Sequence, residues 1–239
     1  MVRIHVWLAK QIDISRRKAE KLVQEQQVLV DNKVAEVGQI VQGSENIMVE
    51  GRRVYPSQVD TQIIALHKPT GYACSRVSQN GQRSVFELLP PLSAGKWVLV
   101  GRLDINTSGL LLATTNGTLA NTLAHPSRGF QREYLVRVSD FLTDVQIRQL
   151  KKGVALKEGM ARVKSIASHG KATKGRNAWY RMTLLEGRNR MVRRLMEEMG
   201  VQVSRLIRIR FGPIKLEKQL GQGKFQKIDY QWLKNHLTQ

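Results

Sequence analysis

Asp104 sits in the stretch Gly101-Arg102-Leu103-Asp104-Ile105-Asn106-Thr107-Ser108-Gly109-Leu110, between the apolar runs 97–100 and 110–113. A strand that stops at a glycine, presents one carboxylate in a short polar loop and resumes as a second strand holds an acid at the edge of a sheet. Such a carboxylate can act as nucleophile or general base. The same polar side chains, Asp104, Asn106, Thr107 and Ser108, can instead close their own turn by hydrogen bonds to the backbone. Local pattern leaves both readings open.

Other chemistries find little support. Cys74 is the sole cysteine, and the five histidines, His5, His67, His125, His169 and His236, have no ligand spacing, so no zinc site is expected. Gly221-Gln222-Gly223-Lys224-Phe225 lacks the Ser/Thr and the earlier glycine of a phosphate-binding P-loop. A glycine-rich dinucleotide fingerprint is missing. The 11 Asp/Glu after residue 60 do not cluster around Asp104 as a two-metal nuclease would need.

The elements that must position the acid follow from patterning. Residues 4–10 and 15–23 read as short helices, the second capped by Ser15, and 28–34 reads as a hairpin turning at Asp31-Asn32. Residues 63–67 form a strand closed by Lys68-Pro69-Thr70-Gly71. A helix over 118–125 stops at Pro126. Residues 132–138 alternate as a half-buried strand with Tyr134 and Val136 on one face, and Thr143 or Asp144 caps a helix to about Lys152. Two strands between 161 and 185 flank a polar loop, 169–176, expected to be exposed and mobile. A helix opens at 186–196 and ends near Gly200, with Met191, Leu195 and Met199 facing the core. Residues 203–214 are expected to close the sheet, and Trp232 and Leu233 to dock a short terminal helix.

Charge narrows the partner. The chain of 239 residues carries 39 Lys/Arg against 19 Asp/Glu, a formal net charge of +20 that calls for a polyanion. Up to residue 60 the balance is nine against eight, so nearly all the excess belongs to the remainder. Within the first part, Arg16, Arg17, Lys18 and Lys21 nevertheless crowd one helix, which can grip phosphates or simply be a solvated face. From 162 to 210 there are thirteen Lys/Arg and three Asp/Glu, a density that a fold does not need. No run approaches a membrane span, and the N-terminus lacks the apolar core of a signal peptide, so a cytoplasmic protein away from membranes is expected.

Gly101-Arg102-Leu103-Asp104, followed two residues later by Thr107-Ser108-Gly109-Leu110-Leu111-Leu112, resembles the active-site signature of ribosomal RNA pseudouridine synthases, the branch that modifies uridines singly. Lys68-Pro69-Thr70-Gly71 and Met191-Val192-Arg193-Arg194 are similar to further motifs of that family. Residues 1 to about 60 resemble an RNA-binding module first seen in a small-subunit ribosomal protein, with Asn32 where that family usually has glycine.

The resemblance implies an α+β fold. It comprises a small helix-and-hairpin RNA-binding domain over 1–60, then a mostly antiparallel catalytic sheet domain over 61–239. It implies conversion of uridine to pseudouridine in ribosomal RNA, without cofactor, by a monomer acting on RNA or on a ribosomal assembly intermediate. Asp104 would be the catalytic acid. Arg193 would be its ionic partner, lowering the carboxylate pKa, and Tyr134 would be an aromatic platform under a flipped-out uracil. Arg102, Arg188, Arg190 and Arg194 would contact RNA, and Lys68 would sit near an RNA phosphate. Residues 132–138 and 200–210 look most like enzymes acting on large-subunit RNA. A small-subunit target, or a non-catalytic assembly factor, is the alternative.

Overall fold

The computed structural model describes residues 1–12, 14–55, 60–76, 81–170 and 177–237. Residues 171–176 of the expected polar loop, and 56–59 of the junction near residue 60, lie outside them. The chain packs as two units, Met1–Asp60 with Pro91–Lys96, and Thr61–Pro90 with Trp97–Gln239. The short segment 91–96 thus belongs with the first unit, where Lys96 Nζ donates to the Ile14 carbonyl at 2.6 Å.

In the first unit, helices Ile4–Gln11 and Arg16–Gln24 pack on a four-stranded sheet ordered Lys33–Val34, Val28–Val30, Ile47–Val49, Arg52–Val54. Ser15 caps the second helix, its Oγ accepting from the Lys18 amide at 3.1 Å. The hairpin turn places Asp31 and Asn32 at φ 50° and 65°, angles that short polar side chains tolerate. Ala19, Leu22 and Val23 are buried with Ile4, Leu8, Val28 and Ile47. Arg16, Arg17, Lys18 and Lys21 are left exposed on the solvent side of that helix.

The second unit is built on a nine-stranded sheet. Seven strands run in the order Ser165–Ser168, Ala178–Leu184, Arg132–Val138, Val203–Phe211, Ser108–Thr114, Ile63–Lys68, Phe225–Lys227. Val98–Val100 adds to Ser108–Thr114, and Ile214–Lys215 to Val203–Phe211. All of its pairings are antiparallel except that of Ser108–Thr114 with Val203–Phe211. The fold is α+β.

Every residue of Ser108–Thr114 is buried because both faces of the sheet are covered. Leu111 joins Leu66, Val136 and Met182 on one face, with helix Met191–Glu198. Leu110 and Leu112 join Ile63, Leu123 and Leu233 on the other, beneath helices Gly117–Ala124 and Tyr230–Leu237. Leu233 docks the terminal helix, whereas Trp232 is largely exposed. Among the described residues no helix is long and apolar enough to cross a membrane.

Two expectations need correction. Val203–Phe211 does not close the sheet but lies inside it, between Arg132–Val138 and Ser108–Thr114, and Phe225–Lys227 takes an edge. A strand's alternation reports burial and not its rank among its neighbours. The helix expected from 186 begins only at Met191, because Arg190 takes a left-handed conformation, φ 49°, at its N-cap.

Gly109 is required by close approach. Its φ is 106°, and a Cβ there would lie 2.2 Å from the Arg208 carbonyl oxygen of the paired strand. Gly109→Ala is expected to destabilise the chain by about 3 kcal/mol or more, through a disfavoured backbone and overpacking together. Urea unfolding followed by circular dichroism measures it; a loss below ~1 kcal/mol would show that the strands can part without penalty.

Candidate active site

Val98–Val100 and Ser108–Thr114 form an antiparallel hairpin, and the loop between them carries Asp104. Gly101 turns the chain out of the first strand at φ 71°. The loop's backbone is held carbonyl by carbonyl. The Asp104 carbonyl accepts from the Thr107 amide at 3.0 Å and from Lys68 Nζ at 3.2 Å. The Ile105 carbonyl accepts from the Gly71 amide at 2.9 Å and from Lys68 Nζ at 3.4 Å. The Asn106 carbonyl accepts from Arg193 Nη2 at 2.9 Å, and the Thr107 carbonyl from Lys68 Nζ at 2.9 Å.

With the turn closed by backbone and cations, the Asp104 carboxylate is not used for it. Among the described residues it accepts no hydrogen bond and forms no ion pair within 4.0 Å. The reading in which Asp104 merely satisfies its own turn is thereby removed. The half-buried carboxylate lines a pocket of about 120 Å³ together with Tyr134, Leu184, Met191 and Leu206.

Lys68 is not near the surface, as a phosphate contact would require. It is fully buried, with Nζ also bonded to the Pro69 carbonyl at 2.9 Å. Its strand ends under the loop, so the side chain has only carbonyl dipoles to meet its charge. Burial pushes its pKa down to about 8, while Cys74 and Asp104 oppose the shift.

Arg193 is likewise not the direct ionic partner of Asp104. Nη1 donates to the Val203 carbonyl at 2.9 Å and Nη2 to Asn106, so the guanidinium ties helix to strand and loop. Burial pushes its pKa below the ordinary value, the neighbouring Arg190 adds to this, and Asp104 opposes it. It influences the acid through the loop backbone and the field.

Tyr134 stands on the inward face of Arg132–Val138, 8% exposed, across from Met182 and Arg208. Arg102 and Arg190 are exposed on the pocket rim. Arg188 also lines the pocket, yet its donors hold Glu186 at 2.7 Å and the Gly159 and Met160 carbonyls at 2.8 and 2.7 Å. Arg194 is not among the pocket residues and pairs with Glu158 at 2.6 Å. These two arginines brace the strand pair Val154–Leu156 and Gly159–Ala161 against the helix. Arg16, Arg17, Lys18 and Lys21 belong to the first unit, and Lys21 pairs with Glu25 at 3.4 Å.

Pattern reading passed over Arg132 and Arg208, both buried in the pocket wall. The signal was present, since Arg132 shares the even-numbered inward face with Tyr134 and Val136, and Arg208 shares one with Leu206.

Two known families match this chain. Residues 62–198 match the family described as RNA pseudouridylate synthase, and residues 2–47 match the S4 domain. The chain belongs to the RNA pseudouridylate synthase family and carries an S4 domain at its N-terminus. It is 46% identical over 220 residues to the ribosomal large subunit pseudouridine synthase B of Yersinia pestis, covering 90% of this chain and 69% of that one. The Escherichia coli (strain K12) protein of the same name is also 46% identical, with 90% and 75% covered. A crystal structure of a pseudouridylate synthase superposes with a TM-score of 0.66, covering 99% of this chain and 100% of the other at 21% identity, which speaks to the fold.

Lys68→Met is expected to lower the family's reaction rate by ~10²-fold at pH 7, the scale on which a small misplacement of a catalytic group acts. The pH dependence follows from the shift. Lys68 gives up its proton as pH rises through about 8, before an unfolded lysine does near 10.5. In that window the unfolded chain binds more protons, so the Lys68 contribution to stability rises with pH while its grip on the loop weakens. Activity is expected to fall from about pH 8 upward as the melting temperature of wild type gains on that of Lys68→Met. Parallel falls in both would contradict the assignment.

Proposed function

We propose that this chain isomerises a specific uridine of ribosomal RNA to pseudouridine, with large-subunit RNA as the substrate. The observation that carries the proposal is an acid whose backbone is clamped on every side while its carboxylate stays unpaired at a base-sized pocket. The relatives named for large-subunit RNA support the choice of substrate.

In this reading Asp104 is nucleophile or base toward the nucleoside, in a groove sheltered by Leu103, Leu206 and Met191. The target base leaves its stack and enters the pocket, where Tyr134 forms the platform beneath it. Arg193 is a positioning residue that acts through the Asn106 carbonyl. Arg102 and Arg190, exposed on the rim, meet RNA around the vacated position. Residues 1–60 serve as the RNA-gripping domain through Arg16, Arg17, Lys18 and Lys21, and 61–239 as the catalytic domain.

The test is release of tritium from ring carbon five of uridine in unmodified ribosomal RNA. Asp104→Asn is expected to lose at least ~10³-fold in rate, as removal of a catalytic nucleophile or base does, with RNA affinity kept. Equal, full release from both proteins would remove Asp104 from the reaction, and release from neither would overturn the isomerisation and leave an RNA-binding assembly factor. Replacing Arg16, Arg17 and Lys18 by alanine is expected to flatten the dependence of log affinity on log salt, by about one for each phosphate that the helix no longer neutralises. An unchanged slope would remove that helix from the RNA interface.

A further inference from the structure

We propose that Arg208 is a further catalytic residue, its guanidinium stabilising the negative charge that the uracil ring acquires on detachment from ribose, with Arg132 reinforcing the field. The proposal rests on the uridine isomerisation above and concerns the same pocket.

Strand pairing sets Arg208 opposite Tyr134, so the two side chains share the pocket face of the sheet. A register shift between Glu133 and Tyr134 brings about that alignment. Arg208 is 2% exposed and lines the pocket with Asp104. Its Nε donates to the Leu110 carbonyl at 2.8 Å, but neither terminal nitrogen has a partner among the described residues, and Nη2 is fully enclosed.

Arg132 is treated differently by the fold. Its donors reach the Phe130, Leu185 and Ala124 carbonyls at 3.0, 3.2 and 3.4 Å. The two guanidinium carbons lie 5.0 and 5.3 Å from the centroid of the same Phe211 ring. Burial holds the Arg132 pKa below its ordinary value, with Arg208 adding repulsion while Tyr134 and Glu186 oppose the shift. Neither arginine forms an ion pair with a carboxylate among the described residues. Two buried like charges, neither ion-paired with a carboxylate, are unfavourable for folding alone, so the pair points to an anion that comes and goes.

Uridine is neutral in its base, and the pocket admits a base. Its ring becomes anionic when the Asp104 carboxylate oxygen bonds to ribose C1′ and the C1′–N1 bond breaks. The electron pair of that bond passes to the ring and is shared by N1, O2 and O4. After the ring turns, a ring electron pair forms the C1′–C5 bond and expels the carboxylate. The C5 proton passes to the carboxylate and on to water, and water protonates N1, so nothing is gained or lost. A fixed, desolvated cation beside this ring interacts far more strongly with the detached anion than with bound uridine, which accelerates the step.

The test compares target RNA carrying uridine or 5-fluorouridine at the modified position, since fluorine itself stabilises the ring anion. Single-turnover formation of the carbon-linked nucleoside is followed in nuclease digests, with RNA affinity measured separately. For uridine, Arg208→Gln is expected to slow the step by ~10²-fold or more, the usual effect of removing one preorganised donor to a developing anion. RNA affinity should stay within about threefold, Arg208→Lys should recover part of the rate, and the deficit should shrink at least ~10-fold with 5-fluorouridine. Equal deficits for both bases would overturn the proposal, as would an affinity loss that accounts for the deficit, which would assign Arg208 to an RNA phosphate. Asp104→Asn assayed alongside separates the two claims. If wild type itself forms no carbon-linked nucleoside the isomerisation reading fails, and if Asp104→Asn keeps full rate the role of Asp104 fails, whereas its inactivity with equal Arg208 deficits removes only the role of Arg208.

Discussion

A buried ammonium meeting carbonyl dipoles sets the geometry on which the site depends. Lys68 Nζ takes up the carbonyls of Asp104, Ile105 and Thr107, and Arg193 takes up the one between them, Asn106. A charge in a low-dielectric interior is tolerated only where such donors and acceptors are matched, so the loop and the cation each require the other. The result is a loop whose backbone has spent its acceptors inward while its one carboxylate faces the pocket. An active-site acid needs that separation of duties, because a side chain engaged in its own turn is not free to react.

The remaining cations of the second unit fall into groups defined by what they touch. Arg188 and Arg194 hold a strand pair through Glu186, Glu158 and backbone carbonyls, and each is paired with a carboxylate. Arg102 and Arg190 face solvent at the pocket rim, where long-range attraction to a polyanion acts but is screened by salt. Arg132 and Arg208 are buried and form no ion pair with a carboxylate among the described residues. A formal charge of +20 therefore does not describe one uniform surface.

Register gives these groups their addresses. The parallel contact between Ser108–Thr114 and Val203–Phe211 is close enough at Gly109 to exclude any side chain. That approach sets Arg208 beside the strand that leaves the acid-bearing loop. The shift between Glu133 and Tyr134 then aligns Tyr134 with Arg208 across the other edge. Acid, aromatic ring and cation come from one loop and two strands far apart in the chain, and the sheet brings them to one pocket.

By itself the sequence determined much about this protein: most elements, the loop that carries Asp104, and the tyrosine on one face of its strand, with the α+β class implied by the family resemblance of its motifs rather than by spacing. The elements, the loop and the tyrosine are written in local spacing, since a period of two, a capping serine or a glycine after an apolar run reports on neighbours in the chain. Only the tertiary structure decided that Lys68 and Arg193 grip the loop backbone, that Arg188 and Arg194 brace a strand pair, and that Arg132 and Arg208 stand in the pocket. Val203–Phe211 likewise took an interior place that its alternation did not reveal. The reason is physical: a cation looks the same in a sequence whether it meets water, a carboxylate or a carbonyl. Which of these it meets is set by strand order and register, which arise from contacts between residues many positions apart.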